Sequence, residues 1–458
     1  MTSEKRVVVI GGGLAGLRLA DRLGPAAVVT VLGEESHVPY NRVLLAEVLA
    51  GRYAPEVTAL PAPGPALRRG VRAVRVDRAE RAVHCDDGTV TPYDTLVLAT
   101  GSNAVLPPLR GLFEPEGRDL PDGVHAFRTM DDCLALSAAV RPGARAVVIG
   151  GGLLGVSAAR ALAARGALVV LAQQGERLME RHLDADASAL LAAHLTELGV
   201  EIHTECRVRG LVTTGPPAAA LPGLRPGPRA SNPPGHHREM PPGGAGPSAR
   251  PGLEDRVRAE PGTRRRANAP RKVTHVELAD GYRLEADVVV LACGVRPRTG
   301  LAQAAGLEVR TGIVVDDHLR TSDPRVHAIG DCAEHAGQVY GLAGAALEQA
   351  DALAAVLTGT PAPYTGTRAL TRLTLGGAGN GSLDLAAFGE TTPRPGDDVV
   401  RLADATRRTY RKVVLRGDLL VGGVLLGELS TVGALARTWE GGEPPHDLFH
   451  LLTDDGGH

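Results

Sequence analysis

Two stretches of the chain share one order of apolar and polar positions. Residues 6–32 run from RVVVI through LAGLRLADRLG to AVVTVL. The outer two segments are short, β-branched and apolar almost throughout, which is the pattern of strands buried on both faces of a parallel sheet. The middle segment spaces its apolar residues at helical intervals. From Arg145 the plan repeats as RAVVI, LLGVSAARALAARG and LVVLA. Each copy predicts the opening of a strand–helix–strand unit.

A second pair of echoes follows. RVDRAERAVHCDDGTVTPYDTLVLATG (Arg75 to Gly101) and HVELADGYRLEADVVVLACG (His275 to Gly294) both read as a hairpin with an Asp-Gly turn, then a strand ending in a small-residue turn. Each half of the chain thus carries the same two parts in the same order, as if one module were used twice. The second copy is interrupted from about residue 213 to 271 by a stretch rich in Pro, Gly, Ala and Arg. That composition buries too little apolar surface to offset its ordering entropy, so it is expected to be disordered. It falls where a short hairpin turn would suffice, and a long surface insertion there is tolerated thermodynamically. His236 and His237 inside it read as solvent-exposed. Beyond Thr358, PAPYTGT reads as a linker, YRKVVLRGDLLVGGVLLGELS as two strands joined at Gly417-Asp418, and VGALARTWEGG as a short helix with a glycine stop. The expected fold class is α/β: two Rossmann-like dinucleotide-binding domains followed by a small α+β domain. The expected boundaries are 1–115 and 297–358 for the first nucleotide domain, 116–296 for the second, and 366–458 for the last.

The turns between strand and helix carry the chemistry. Gly11-x-Gly13-x-x-Gly16 and Gly150-x-Gly152-x-x-Gly155 each close a strand and open a helix. In such a loop the first glycine makes the tight turn. The second lets the backbone approach a pyrophosphate, and the third lets helix and strand pack closely. Leu14 and Ala15, and Leu153 and Leu154, open the helices, whose free N–H groups and positive dipole face the phosphates. An acid about twenty residues on is expected to hold a ribose hydroxyl. In the first copy Gly33 stands at that place, and Glu34 or Glu35 must reach instead. In the second, Gln173 and Gln174 end the strand, and Glu176 is followed by Arg177. A carboxylate repels a 2′-phosphate and an arginine attracts one, so NADH and NADPH both stay open.

Composition narrows the classes. Of 458 residues, 43% are hydrophobic but only 3% aromatic, so Ala, Val and Leu must fill the cores. A net charge of −2 gives no electrostatic reason to expect nucleic acid or an anionic membrane. No apolar run is long enough to span a bilayer, and no signal-like segment precedes the first strand. The five cysteines, Cys85, Cys133, Cys206, Cys293 and Cys332, form no close pair, which fits a reducing cytoplasm. Cys332-x-x-His335 reads as a buried thiol rather than a metal site, and His446 and His450 as surface residues.

With these motifs the sequence resembles the two-dinucleotide flavoprotein reductases, whose usual order is an FAD loop and then an NAD(P)H loop. TLVLATG (Thr95 to Gly101) resembles their link between the two nucleotide domains, with Thr100 and Gly101 against the FAD and Gly294 at the equivalent turn of the second copy. TSDPRVHAIGDCAEH (Thr321 to His335) resembles their second FAD motif, in which Asp331 would hold the ribityl chain. PYNRVLLAEVLAG (Pro39 to Gly51) is similar to a segment of rubredoxin- and ferredoxin-type reductases, and closer to the flavoprotein half of the NAD(P)H nitrite reductase large subunit. GGGLLG, LMERHLDADA, GIVVDDHLRTSDP and GQVYGLA resemble that half too. By these matches Arg42 and Arg128 would contact the FAD. The helix expected from Tyr340 to Leu357 would point its N-terminus at the flavin, favouring negative charge there by about 0.3–1 kcal/mol. Glu348 and Gln349 in it read as solvated positions as readily as functional ones.

Three departures matter. Glu47 stands where the reductases often have a lysine near the flavin. Ser157 stands where a glutamate usually approaches the nicotinamide. No four-cysteine cluster is present, so the iron–sulfur chemistry that reduces nitrite is not expected of this chain. The segment Val43 to Val48 also lacks the cysteines of the disulfide reductases, which leaves the flavin itself as the redox centre, with no protein residue reacting covalently and no metal. The resemblance therefore implies an FAD-dependent NAD(P)H oxidoreductase that passes electrons to a metalloprotein, as the electron-transfer component of an assimilatory nitrite or nitrate reductase. A rubredoxin or ferredoxin reductase is the rival acceptor class, and an FAD-binding redox sensor without turnover the rival from outside enzymology. A homodimer is compatible with all three.

Overall fold

The structure, a computed structural model, describes residues 5–61, 66–114, 117, 119–214, 271–360, 363–376, 382–404, 406–427, 429–442, 444 and 452. Helices are named α1 (Leu14–Leu23), α2 (Leu45–Leu49), α3 (Met130–Ala139), α4 (Leu153–Ala164), α5 (Ala185–Glu197), α6 (Gly300–Ala304), α7 (Ala343–Thr358) and α8 (Val432–Gly441).

The apolar run Arg6–Ile10 is the middle strand of a parallel five-stranded sheet, with Val28–Gly33 and then Leu67–Arg69 on one side, and Thr95–Leu98 and then Val326–Ala328 on the other. Val7, Val8 and Val9 are at most 1% exposed, as two-sided burial requires. The second sheet has the same plan. Arg145–Ile149 is central, flanked by Leu168–Ala172 and Val200–His203 and, opposite, by Val288–Leu291 and Val124–Ala126, all parallel. In both sheets the strand that follows the hairpin echo lies directly beside the glycine-loop strand. The architecture is α/β, with two Rossmann-like units built alike.

The hairpin echoes are antiparallel meanders. One comprises Ala73–Asp77, Ala82–Cys85 and Val90–Pro92, and the other Val208–Thr214, Lys272–Leu278 and Arg283–Glu285. Gly88 and Gly281, the turn glycines, have φ of 81° and 91°, which only glycine adopts freely. Thr214 and Lys272 are directly paired, so the chain leaves and re-enters this hairpin at neighbouring points. The predicted disorder, with His236 and His237, lies outside the described residues apart from its flanks, where residues 213–214 and Lys272 are strand.

Two short antiparallel strands, Ser102–Ala104 and Val295–Pro297, run side by side where the chain crosses between the nucleotide units. The last region is an antiparallel sheet in the order Leu370–Gly376, Ser382–Gly389, Leu419–Gly427, Thr409–Arg416, Asp398–Asp404, with α8 packed on it. The Gly417-Asp418 hairpin and the glycine stop are present, with Gly442 left-handed at φ 63°. The three further strands were not among the sequence expectations. Among the described residues no helix is long and apolar enough to cross a membrane.

The cores do not follow these sheets one to one. Tyr40, Leu45, Ala46, Val48 and Leu49 belong by sequence to the first nucleotide unit. They are buried in one apolar cluster with Val156 and Ala159 of α4, Leu191 and Leu195 of α5, and Leu375, Leu385 and Leu426 of the last sheet. Helix α2 is therefore an arm of the first unit driven into the other two.

Candidate functional site

The two glycine loops have matching geometry. Gly11 has φ of 128°, and a Cβ on it would lie 2.0 Å from the carbonyl oxygen of Ala99. A Cβ on Gly16 would lie 2.1 Å from the carbonyl oxygen of Gly11. Gly150 and Gly155 repeat this at 2.5 Å from Ala292 and 1.7 Å from Gly150. These four positions exclude a side chain because backbone already fills the space. The middle glycines differ. Gly13 and Gly152 have ordinary extended backbone and nothing within 4 Å of an added Cβ. They are the N-caps of α1 and α4, and no side chain caps either helix. Each helix thus presents uncapped N–H groups over a bare glycine, which is a fit for a pyrophosphate. Leu14 and Ala15 open α1, Leu153 and Leu154 open α4, and Ala15 is buried against Gly330.

The candidate ribose residues are differently placed. Glu34 pairs with Arg298 at 2.5 Å across the crossover strands. Glu35 accepts a hydrogen bond from Tyr40 Oη at 2.6 Å and is ion-paired with Arg42. Burial, together with the Glu35 carboxylate, holds the Tyr40 phenol protonated well above its ordinary range. In the second unit Gln173 accepts from the N–H of Gly151 at 2.8 Å, so its side chain is part of the glycine loop. Arg177 lies 3.4 Å from Glu176. A cavity of about 610 Å³, lined by His203, Glu205, Cys206, Arg207 and Asp280 among others, opens next to this strand end. Its wall is fixed there by Cys206 N–H donating to Gln173 O and Glu205 N–H to Gly175 O, both at 2.9 Å.

A chain of charged partners is drawn together from distant segments. Asp331 sits in a single 3₁₀ turn after the strand Val326–Ala328, set by Gly330 at φ 77°. Its Oδ2 accepts from Arg128 Nη2 at 2.6 Å and from Ser102 Oγ at 2.8 Å. Arg128 also donates to Ser102 Oγ at 2.7 Å, and its own carbonyl accepts from Arg42 Nη1 at 2.9 Å. Four sequence-expected residues, Glu35, Arg42, Arg128 and Asp331, thereby form one connected group. It presents a carboxylate that can accept from hydroxyls and two guanidiniums that can hold an anion. Thr100 and Gly101 fasten the crossover. Thr100 Oγ1 donates to Arg298 O at 2.7 Å, and Arg298 N–H donates to Gly101 O at 2.9 Å. Gly294, at φ 97°, accepts from Val105 N–H on the opposite strand.

Several positions depart from the sequence reading. Gln349 is not solvated. It is 1% exposed, and its Oε1 accepts from Gly330 N–H at 2.7 Å, fixing the turn that carries Asp331. Glu348 accepts from Thr367 Oγ1 at 2.6 Å. Tyr364 Oη shares a hydrogen bond with Thr367 Oγ1 at 2.7 Å and accepts from Gln349 Nε2 at 3.3 Å, and burial raises its phenol to about 12. Ser157 is buried and turns back to donate to Leu153 O at 2.7 Å, within its own helix. Glu47 is ion-paired with Arg160 and Arg52. Sequence reasoning missed Ser102, Tyr40 and Arg298, and left Gln349 undecided. Ser102 and Arg298 adjoin motifs that were read, and their closeness to those motifs was the available signal.

Cys332 is fully buried and donates to the carbonyls of Leu98 and Ile329, while His335 pairs with Asp317, so the two serve separate partners. Burial raises the thiols of Cys332, Cys293 and Cys206, and pushes Cys133 up to about 11. All five cysteines are unpaired. His446 and His450 lie outside the described residues.

A family model described as pyridine nucleotide-disulphide oxidoreductase matches residues 5–219 and 252–350. A nitrite reductase [NAD(P)H] of Bacillus subtilis (strain 168) is 31% identical over 438 residues, covering 93% of this chain and 46% of its own length. The assimilatory nitrate reductase electron transfer subunit of the same organism is 28% identical over 436 residues, with 93% and 48% covered. The chain therefore spans about half the length of these relatives. Among solved structures, putidaredoxin reductase in its covalent complex with putidaredoxin superposes with a TM-score of 0.73 at 24% identity, over 99% of both chains, and shares the fold.

Proposed function

The chain belongs to the pyridine nucleotide-disulphide oxidoreductase family, and from that premise we propose that it is an FAD-dependent NAD(P)H oxidoreductase serving a metalloprotein acceptor of the nitrite or nitrate reductase type. The observation that carries this reading is the duplicated cradle. Two parallel sheets each end in a loop whose outer glycines are packed shut and whose middle glycine stands open before an uncapped helix. One such loop suits one dinucleotide; two suit a resident cofactor and a substrate.

The residues divide the work. Gly13 and the first N–H groups of α1 receive the FAD pyrophosphate, while Gly152 and α4 receive that of NAD(P)H. Asp331, oriented by Arg128 and Ser102, accepts from the ribityl hydroxyls. Arg42, braced by Glu35 and the Arg128 carbonyl, supplies positive charge to the same group. FAD held there would supply the hydride-accepting and electron-releasing chemistry, while these residues bind and orient it. The five unpaired thiols suit a reducing, cytoplasmic setting.

The test is anaerobic mixing of purified yellow protein with NADH and, separately, NADPH while following flavin absorbance. Bleaching by at least one is expected. Reoxidation is then followed with a sirohaem nitrite reductase, a nitrate reductase, a ferredoxin and a rubredoxin, of which the first two are expected to be fastest. Protein that binds no flavin, or stays yellow with both nicotinamides, refutes the proposal. The second reading, a ferredoxin or rubredoxin reductase, is favoured by the end-to-end superposition on putidaredoxin reductase. Faster reoxidation by the small iron proteins would select it.

A further inference from the structure

The arm α2 is tied to its surroundings by an ionic junction that the proposed reaction does not yet use. Arg160, on α4, is 1% exposed. Its Nη2 meets Glu47 of α2 at 2.5 Å, and its Nη1 donates to the carbonyl of Gly376, at the end of the first strand of the last sheet, at 2.7 Å. Three parts of the molecule thus converge on one guanidinium. Burial pulls Arg160 below its ordinary value, and the Glu47 carboxylate opposes that pull. Arg52 lies 3.0 Å from the other oxygen of Glu47. Arg165, the C-cap of α4, donates to Leu49 O, the C-terminal carbonyl of α2, at 3.3 Å, and to Ser137 of α3 at 2.5 Å. An arginine of α4 and the arginine that caps it therefore grip both the side chain and the backbone of α2.

The positions along α4 give this grip a meaning. Its N-terminus is the second glycine loop. Arg160 lies seven residues after Leu153, about 10 Å along the axis at 1.5 Å per residue. Arg42 begins the short turn that runs directly into α2. The Glu47–Arg160 pair is thus a strut between the element that cradles one dinucleotide and the segment that reaches the other. A buried ion pair contributes little net stability, because desolvation offsets attraction, but it admits few geometries. The guanidinium fork makes this stricter, since its two bonds lie in one plane.

Resting on the reading of the two loops as FAD and NAD(P)H cradles, we propose that Arg160 is a positioning residue that, through Glu47 and Gly376, sets the nicotinamide cradle at its distance and angle from the flavin segment. The last sheet takes part in this alignment, so its role is not confined to the surface it presents. The two departures in the sequence fall into place. Glu47 serves Arg160, and Ser157 is satisfied within α4 by Leu153 O.

The experiment compares the wild type with Arg160→Met, Arg160→Lys and Glu47→Gln by two measurements. In stopped flow, misplacement of the donor by about an ångström lowers the limiting rate of flavin reduction by about 10²-fold, whereas half-saturation by NAD(P)H and flavin content stay close to wild type. Arg160→Lys keeps the charge on Glu47 without the fork and recovers part of the rate. In hydrogen–deuterium exchange on flavin-free protein, uptake over residues 45–53 rises in Arg160→Met and Glu47→Gln while Arg6–Ile10 stays protected. Limiting rates equal to wild type, or unchanged uptake over 45–53, overturn the proposal. If Arg160→Met does not fold, Glu47→Gln, which changes no volume, supplies both measurements. The exchange arm needs no nicotinamide. It decides the strut even if the wild type fails to bleach, a result that would overturn the proposed function instead.

Discussion

Replacing Gly13 and Gly16 by alanine one at a time separates binding from folding within a single loop. At Gly13 the backbone, φ −88° and ψ −170°, suits any residue, and the new methyl meets nothing within 4 Å. The stability of the flavin-free fold should change by less than about 1 kcal/mol, because the lost freedom of the unfolded chain is opposed by the poorer N-cap that alanine makes for α1. The methyl instead occupies the approach of the pyrophosphate to the N–H groups of α1. A charge-assisted hydrogen bond contributes about 1.5–3 kcal/mol, so losing one weakens FAD binding by about 10- to 150-fold. At Gly16 the methyl would lie 2.1 Å from the carbonyl oxygen of Gly11, closer than real Cβ contacts come. Helix and strand must separate, and overpacking of this kind costs about 1–3 kcal/mol or more. Urea unfolding of the apoproteins and fluorescence titration with FAD read the two effects independently. Gly13→Ala protein that binds FAD as the wild type does would refute the assignment of the open space. Gly16→Ala apoprotein as stable as the wild type would refute the close approach. Gly152→Ala and Gly155→Ala should repeat the contrast toward NAD(P)H, with FAD content kept at Gly152→Ala.

Further outcomes follow from the other contacts. Asp331→Asn removes the charge facing Arg128 and should lower FAD retention tenfold or more, about 1.5–3 kcal/mol; equal flavin content after gel filtration would contradict it. Lys412→Met leaves Asp184 without the cation that lies 2.8 Å away and is 2% exposed. Loss of about 3 kcal/mol is expected in urea unfolding, and an unchanged midpoint would show that the pair does not anchor the last sheet. Burial pulls His327 from 6.5 to about 4, so the folded protein keeps it neutral where the unfolded chain binds a proton. Its contribution is whole above pH 6.5 and is lost as pH falls from there toward 4, by about 2 kcal/mol at pH 5. His327→Gln should flatten that part of the melting-temperature profile, and a slope identical to wild type would count against it.

What could be read from the sequence was local. RVVVI and RAVVI announce buried parallel strands because every residue after the opening arginine is apolar, and the glycine loops announce their turns because φ values near 128° and 112° admit little else. The group around Asp331 was legible only in pieces. Resemblance supplied Arg42, Arg128 and Asp331, but Ser102 meets Asp331 across 229 positions of sequence and Glu34 meets Arg298 across 264. Gln349 stayed undecided between a solvated and a functional position because its helix is small-residue rich. Only the packing of α7 against the Asp331 turn buries it. The strands Leu370–Gly376, Ser382–Gly389 and Asp398–Asp404 went unread because they mix polar and apolar positions, whereas the hairpin after Tyr410 is apolar through its middle.

The first sheet takes its outer strand, Val326–Ala328, from more than three hundred positions beyond its centre, and this imposes a calendar on the growing polypeptide. On the ribosome the second unit has all five of its strands once residue 291 emerges, while the first, though begun earlier, still waits for its edge and for Asp331. Domains generally fold as units during synthesis. The first unit must therefore linger as an incomplete sheet until its late strand arrives, and capture of the flavin waits for the segment that carries Asp331.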